Sequence, residues 1–233
     1  MYEKPVGLSE ALKCFLAVIV FGIAFGYIEA VVVVYLREIF FPEGFVFPLV
    51  GFGEGPLWGR ILGIEMGRET ATLILILSAV WLFGKSRQQR FAYFLIVFAV
   101  WDIFYYVWLK VLTGWPGSIM DWDLLFLMPA VWASPVLAPI IVSVVMLLCG
   151  VAILYRDFQG GILKASLADK AGFFVAGFAA VFCFCIAGQH ISEPDFKVYF
   201  CWPLFAFANV AAVAVFLRCF FKAGVDIQKK GTC

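Results

Sequence analysis

The sequence predicts an all-α integral membrane protein, a six-transmembrane-helix bundle that forms a single domain over residues 1–233. Hydrophobic residues make up 64% of the chain, charged residues 14%, and the mean hydropathy is +1.01. Soluble domains hold about 45–50% apolar and about 25% charged residues. The apolar residues also gather in six runs, each close to the roughly 20 residues that a helix needs to cross a bilayer. A water-soluble fold is therefore excluded.

Polar segments and segments rich in Gly and Pro separate the apolar runs and set the helix boundaries. The predicted spans are 12–36, 66–84, 91–113, 135–155, 171–191 and 198–221. After the first span comes a long apolar outer loop, FFPEGFVFPLVGFGEGPLWGRILGIE. We expect it to fold back on the membrane surface, because loops of this length in compact proteins are usually lids or binding loops. A merely interfacial loop is the alternative.

The fourth apolar run already begins at Leu124 and carries Pro129, Pro135 and Pro139. Interior prolines remove a backbone hydrogen bond and clash with the preceding turn, so one straight helix is disfavoured. We therefore predict a short interfacial helix over 123–134, before the fourth span. Asp121 or Asp123 would cap its N-terminus.

Basic residues decide the orientation of the spans far more than acidic residues do. In the six-span arrangement, the side that holds both termini carries twelve of the seventeen Lys and Arg residues. The other side carries Arg37, Arg60, Arg68, Lys110 and Lys197. We therefore predict a multi-pass protein of the cell (inner) membrane with cytoplasmic N- and C-termini. The twelve residues are Lys4, Lys13, Lys85, Arg87, Arg90, Arg156, Lys164, Lys170, Arg218, Lys222, Lys229 and Lys230.

Ionisable residues inside the spans mark candidate sites, because each costs about 2.5–3.5 kcal/mol at a helix centre on insertion scales. Glu29 lies in the first span, with Gly22 and Gly26 on its helical face, where small residues permit close approach of another helix. The second span places three charged residues on one helix turn at i, i+3 and i+4. These are Glu65, Arg68 and Glu69.

The third span carries Asp102, with Tyr105 and Tyr106 on the same face and Lys110 one turn beyond. On the predicted topology these groups all fall in the outer half of the bilayer or just above it. The predicted substrate-binding set is Glu29, Glu65, Arg68, Glu69, Asp102, Tyr105, Tyr106 and Lys110. The last two spans add little polar character, so we place the site in the first four helices.

Purely structural roles stay open for the same residues. Glu29 or Asp102 could form an inter-helix ion pair with Arg68 or Lys110 that only fixes packing. Arg68 and Glu69 could instead be interfacial groups solvated by lipid headgroups.

The sequence identifies no cofactor. A single histidine, His190, argues against haem and against imidazole-rich metal sites. A carboxylate site for a divalent cation such as Mg²⁺ or Mn²⁺ stays open, with Asp121 and Asp123 as weak candidates beside their simpler role as caps. The cysteines are expected to be small core residues, although a disulfide among Cys183, Cys185 and Cys201 stays open.

Three functions from different classes remain. The first is solute binding or transport, in which the polar groups and the outer loop enclose a small molecule or an ion. The second is a membrane-embedded enzyme that acts on a lipid or lipid-linked substrate at the outer leaflet. The third is a non-catalytic subunit or assembly factor whose charges pair with a partner membrane subunit. Membrane lipids are expected contacts in each case. No basic tract is dense enough for nucleic acid.

Overall fold

In the computed structural model, the backbone is described for residues 8–230 and the side chains for residues 10–55 and 57–222. This part of the chain contains six helices that are long and apolar enough to cross a membrane, which confirms the predicted bundle of a polytopic membrane protein. They are α1 Leu8–Phe40, α2 Pro56–Phe83, α3 Arg87–Thr113, α4 Leu137–Phe158, α5 Leu167–Gln189 and α6 Trp202–Lys230. Lys4, Cys233 and the side chains of Lys229 and Lys230 lie outside the described residues.

Local sequence signals set several helix ends. The Ser86 side chain accepts a hydrogen bond from the Gln89 N–H at the start of α3. Ser166 and Asp169 form a capping box at the start of α5, in which each side chain satisfies a backbone N–H of the other residue. At the end of α3, Gly114 adopts a left-handed conformation with φ 75°, which glycine takes without a steric cost.

Helix α3 is the centre of the bundle and packs against α1, α2 and α4, while α5 and α6 form a second packed pair. The contact between α1 and α3 is close because α1 offers glycines there. A Cβ atom at Gly22 would lie 2.8 Å from Val100 Cγ1, and one at Gly26 would lie 2.9 Å from the Trp101 carbonyl oxygen. The predicted close approach on the Glu29 face of α1 is confirmed.

The predicted helix at 123–134 is wrong, because this segment forms a β-hairpin. Strand β1 (Trp122–Phe126) pairs antiparallel with β2 (Trp132–Pro135), with an irregularity between Leu124 and Phe126. Pro129 lies in the turn, where it prevents a helix from continuing, and α4 begins at Leu137 with Pro139 in its first turn. The hairpin satisfies backbone groups across its own ladder, as non-helical backbone near a membrane must.

The segment 41–55 folds back over the bundle, at the end where α1 and α3 finish and α2 and α4 begin; we call this the loop end. The Leu49 N–H donates to the Ile191 carbonyl at 2.8 Å, and the Ser192 hydroxyl donates to the Leu49 carbonyl at 2.7 Å. These bonds tie the segment to the connection after α5. Helix α2 begins at Pro56 rather than at 66, since proline suits the first turn of a helix.

The connection between α5 and α6 contains a 3₁₀ turn at Phe196–Tyr199. Cys183, Cys185 and Cys201 are free thiols, so the structure does not form the disulfide that the sequence left open. The Cys183 thiol lies 3.7 Å from the Cys201 carbonyl oxygen.

Candidate functional site

A cavity of about 390 Å³ lies near the loop end. Side chains from α1 to α5, the hairpin and the segment 41–55 line it. Ligand pockets in proteins are commonly about 300–1,000 Å³, so the cavity has the size of a small-molecule site. Seven charged residues line it: Glu29, Arg37, Glu65, Arg68, Glu69, Asp102 and Asp123.

Arg68 links α2 to α1 through two carboxylates. Its Nη1 donates to Glu29 Oε2 at 2.5 Å, and its Nε lies 2.9 Å from both oxygens of Glu65, which also bonds the Arg68 Nη2. The Thr72 hydroxyl lies 3.4 Å from Arg68 Nη1. The spacing of Glu65 and Arg68 predicted their pairing on one helix turn, and the fold adds the partner from α1. Each of the three guanidinium nitrogens thus has a carboxylate partner within the protein.

Glu69 has a different role from its neighbours on α2. Its two carboxylate oxygens accept the Leu127 N–H at 2.9 and 3.0 Å, and the residue is only 4% exposed. Leu127 directly follows strand β1. Glu69 therefore satisfies the backbone of the hairpin where the strand ladder stops, and it attaches the hairpin to α2.

Asp102 on α3 is half-buried in the cavity wall and receives a hydrogen bond from the Ser143 hydroxyl of α4 at 2.8 Å. Among the residues that the structure describes, no Lys or Arg forms an ion pair with it. A carboxylate offers about four lone-pair positions. Asp102 therefore retains capacity to accept further bonds from the cavity side.

A second ion pair closes the cavity toward the loop end. Arg37 Nη2 donates to Asp123 Oδ1 at 2.7 Å, and the Tyr105 hydroxyl donates to Asp123 Oδ2 at 3.2 Å. The Arg37 guanidinium lies over the rings of Phe45 and Trp115, 4.0 and 3.9 Å from their centroids. Burial raises the pKa of the Asp123 carboxyl above its usual range, although the Arg37 charge acts in the opposite direction. The pair joins α1, the hairpin and two loops.

Aromatic rings form much of the remaining wall. Trp101 packs against Phe98 and Phe126, with ring centroids 5.2 and 6.2 Å away, and Trp132 stacks on Phe184 at 5.8 Å. The indole N–H groups of Trp101 and Trp132 are buried, and no hydrogen-bond acceptor for either is found among the described residues. The cavity thus combines an apolar, aromatic wall with a few convergent polar groups.

The structure brings seven of the eight predicted substrate-binding residues to this cavity: Glu29, Glu65, Arg68, Glu69, Asp102, Tyr105 and Tyr106. Lys110 is placed elsewhere. Its Nζ donates to the Gly114 and Pro116 carbonyl oxygens, both at 2.8 Å, and the residue is exposed. Lys110 therefore caps the end of α3, where a cation also meets the negative end of the helix dipole.

Sequence reasoning missed three contributors to the cavity. The sequence identifies Arg37 only as an outer basic residue, because its partner Asp123 is 86 positions away. Ser143 also belongs to the cavity wall, and its only signal in the sequence is that it is a rare polar residue within the fourth apolar run. Helix α5 adds an apolar wall through Gly177, Ala180, Val181 and Phe184, which a search for polar residues cannot find.

The weak metal hypothesis gains no support from the geometry. Asp121 lies outside the cavity and accepts hydrogen bonds from the Gly117 and Ser118 N–H groups at 2.7 and 3.0 Å, which fits its simpler role in a turn. The Asp123 carboxylate already forms an ion pair with Arg37. Within the described ranges, no group of three or more His, Cys, Asp or Glu side chains is placed to hold a metal ion.

No protein-family model, curated protein or solved structure matches the chain. Its class therefore follows from the fold alone. The chain is a polytopic membrane protein; its described part holds six helices long enough to span a membrane and a cavity between α3 and the surrounding helices.

Proposed function

We propose that this cavity binds a small organic solute and that the protein is a solute-binding or transport component of the cell membrane. The size of the cavity, its aromatic wall and its few polar groups together match the usual make-up of small-molecule sites.

The proposal rests mainly on the surroundings of Asp102. The packing alternative accounts for Glu29, because Arg68 pairs with it across two helices. Asp102 has no such ion pair among the described residues, and its one hydrogen bond comes from a neutral hydroxyl. A carboxyl in a membrane span is costly unless something compensates it. A bound solute that donates to Asp102, or places a positive charge beside it, would supply that compensation.

We place the loop end, and with it the cavity, on the outer side of the inner membrane. The excess of Lys and Arg at the opposite end supports this orientation, since such residues concentrate on the cytoplasmic side. The N- and C-termini are then cytoplasmic. A solute outside the cell would meet the segment 41–55 first.

Thermal unfolding of the purified protein with a panel of small organic solutes tests the proposal. At least one member should raise the melting temperature of the wild type, because a ligand that binds only the folded state stabilises it. Asp102→Asn should lose that increase. Glu43→Gln, which removes an exposed carboxylate of the segment 41–55 outside the cavity, should keep it. A panel without any shift for the wild type would contradict the proposal.

A further inference from the structure

We propose that the solute is an organic cation with an apolar body, bound with its charge at Asp102 and its body against the aromatic wall. This inference rests on the proposed solute-binding function and names the chemical class of the ligand.

The charges of the cavity wall favour a cation over an anion. Among its charged residues, five are carboxylic acids and two are arginines. Both arginines are already paired, Arg68 with Glu29 and Glu65, and Arg37 with Asp123. An anionic solute would find no unpaired cation in this wall and would face two carboxyl groups that have no ion pair among the described residues. In an environment of low dielectric constant such repulsion is strong.

Asp102 is the carboxyl group best placed to meet the charge. Two of the five lack an ion pair among the described residues, Glu69 and Asp102. Glu69 is almost fully buried and uses both oxygens on the Leu127 N–H. Asp102 is more exposed and accepts one bond from Ser143. No cation among the described residues balances the charge of Asp102, and a cationic ligand can therefore balance it.

The aromatic wall favours an organic cation over an inorganic one. A cation over the face of Trp, Tyr or Phe is attracted by the ring quadrupole, more strongly where water is excluded. Trp101, Phe98 and Phe184 supply such rings beside the apolar surface that the body of the solute would cover. A cavity of about 390 Å³ is also far larger than a bare metal ion requires.

Three probes of nearly the same shape but different charge show how much of the binding depends on charge. Benzyltrimethylammonium is a permanent cation, neopentylbenzene is its neutral isostere, and benzylsulfonate carries a negative charge. Equilibrium binding is measured with the full chain in lipid nanodiscs, and binding to empty nanodiscs is subtracted. We expect the cation to bind about tenfold or more tightly than either of the other probes. This comparison uses the wild type and depends on no variant.

Two variants of Asp102 and one control variant then locate the charge contact. Asp102→Asn should weaken binding of benzyltrimethylammonium about tenfold and leave neopentylbenzene within about twofold, because only the charge contact is removed. Asp102→Glu keeps the charge and should keep the preference for the cation. Glu43→Gln removes an exposed acid outside the cavity and should change neither probe.

The outcomes distinguish this inference from the function on which it rests. If benzylsulfonate or neopentylbenzene binds as tightly as the cation, the inference is overturned and solute binding stands. The same holds if Asp102→Asn leaves the preference for the cation unchanged, or if only uncharged or anionic members of the solute panel stabilise the protein. If no probe and no panel member binds, the proposed function itself fails.

Discussion

Arg68 on α2 donates to Glu29 on α1 at 2.5 Å, and this ion pair ties α1 to a helix whose main packing partner is α3. The Arg68 side chain is 23% exposed and that of Glu29 is 12% exposed. The pair is thus largely removed from solvent. It explains why a basic residue is tolerated beside three glutamates inside a membrane protein.

Removing the Arg68 charge should destabilise the fold strongly. Arg68→Met would leave Glu29 and Glu65 without their shared cation, and breaking such a buried pair from one side costs about 3–5 kcal/mol. Chemical unfolding in detergent measures the loss. Arg60→Met, an exposed arginine on the same helix, serves as the control and should change the unfolding free energy little. Equal effects of the two variants would show that the pair is not a structural link.

Arg37 should not be replaceable by lysine. Its planar guanidinium bonds Asp123 and lies over two aromatic rings, and a compact lysine ammonium does not reproduce these planar contacts. We expect Arg37→Lys to speed hydrogen exchange in the segment 41–55 and the hairpin, while the amides of α6 keep their protection. Exchange measured by mass spectrometry checks this. Unchanged exchange at the loop end would mean that the stacked pair does not hold these segments.

The close contact of α1 with α3 should tolerate no side chain at Gly26. A Cβ there would lie 2.9 Å from the Trp101 carbonyl oxygen, a backbone atom that cannot turn away. Gly26→Leu should lower the unfolding free energy by at least about 1–3 kcal/mol, as overpacking does. Gly63→Leu is the matched control, because no atom lies within 4 Å of a Cβ at Gly63. If both variants are equally stable, the helices do not approach as closely as described.

The proposed orientation predicts opposite labelling of two introduced cysteines. Glu43 is exposed at the loop end, and Arg87 is exposed at the start of α3, at the other end of the bundle. A membrane-impermeant maleimide added to intact cells should label Glu43→Cys above the level of the wild type. It should label Arg87→Cys only after permeabilisation. The reverse pattern would place the cavity on the cytoplasmic side.

Hydrophobic run length predicts the six helices well, because each span must satisfy its own backbone hydrogen bonds in lipid and so needs a continuous apolar stretch. Charge inside those runs likewise predicts most polar residues of the cavity. The position of Glu29 beside Arg68 agrees with the inter-helix pairing that the sequence had left as an alternative. The spacing of residues along one predicted helix therefore identifies the polar groups of the cavity. It does not identify all of the residues on other segments that bond to them.

Contacts between distant segments could not be predicted in this way. The hairpin arises because Pro129 breaks the apolar run and because the chain after it finds a partner strand, a long-range choice that local helix signals do not contain. The Arg37–Asp123 pair and the Asp102–Ser143 bond join residues far apart in the chain. Lys110 shares a helical face with Tyr106, yet it turns to the carbonyl groups at the end of its own helix.

Native mass spectrometry of the protein released gently from its membrane tests the central claim most directly. We predict that wild-type protein retains a small organic molecule that dissociates on activation, that Glu43→Gln retains it as well, and that Asp102→Asn is empty. A wild-type protein without any bound small molecule, or a molecule retained equally by Asp102→Asn, would contradict the claim that this cavity is a solute site built around Asp102.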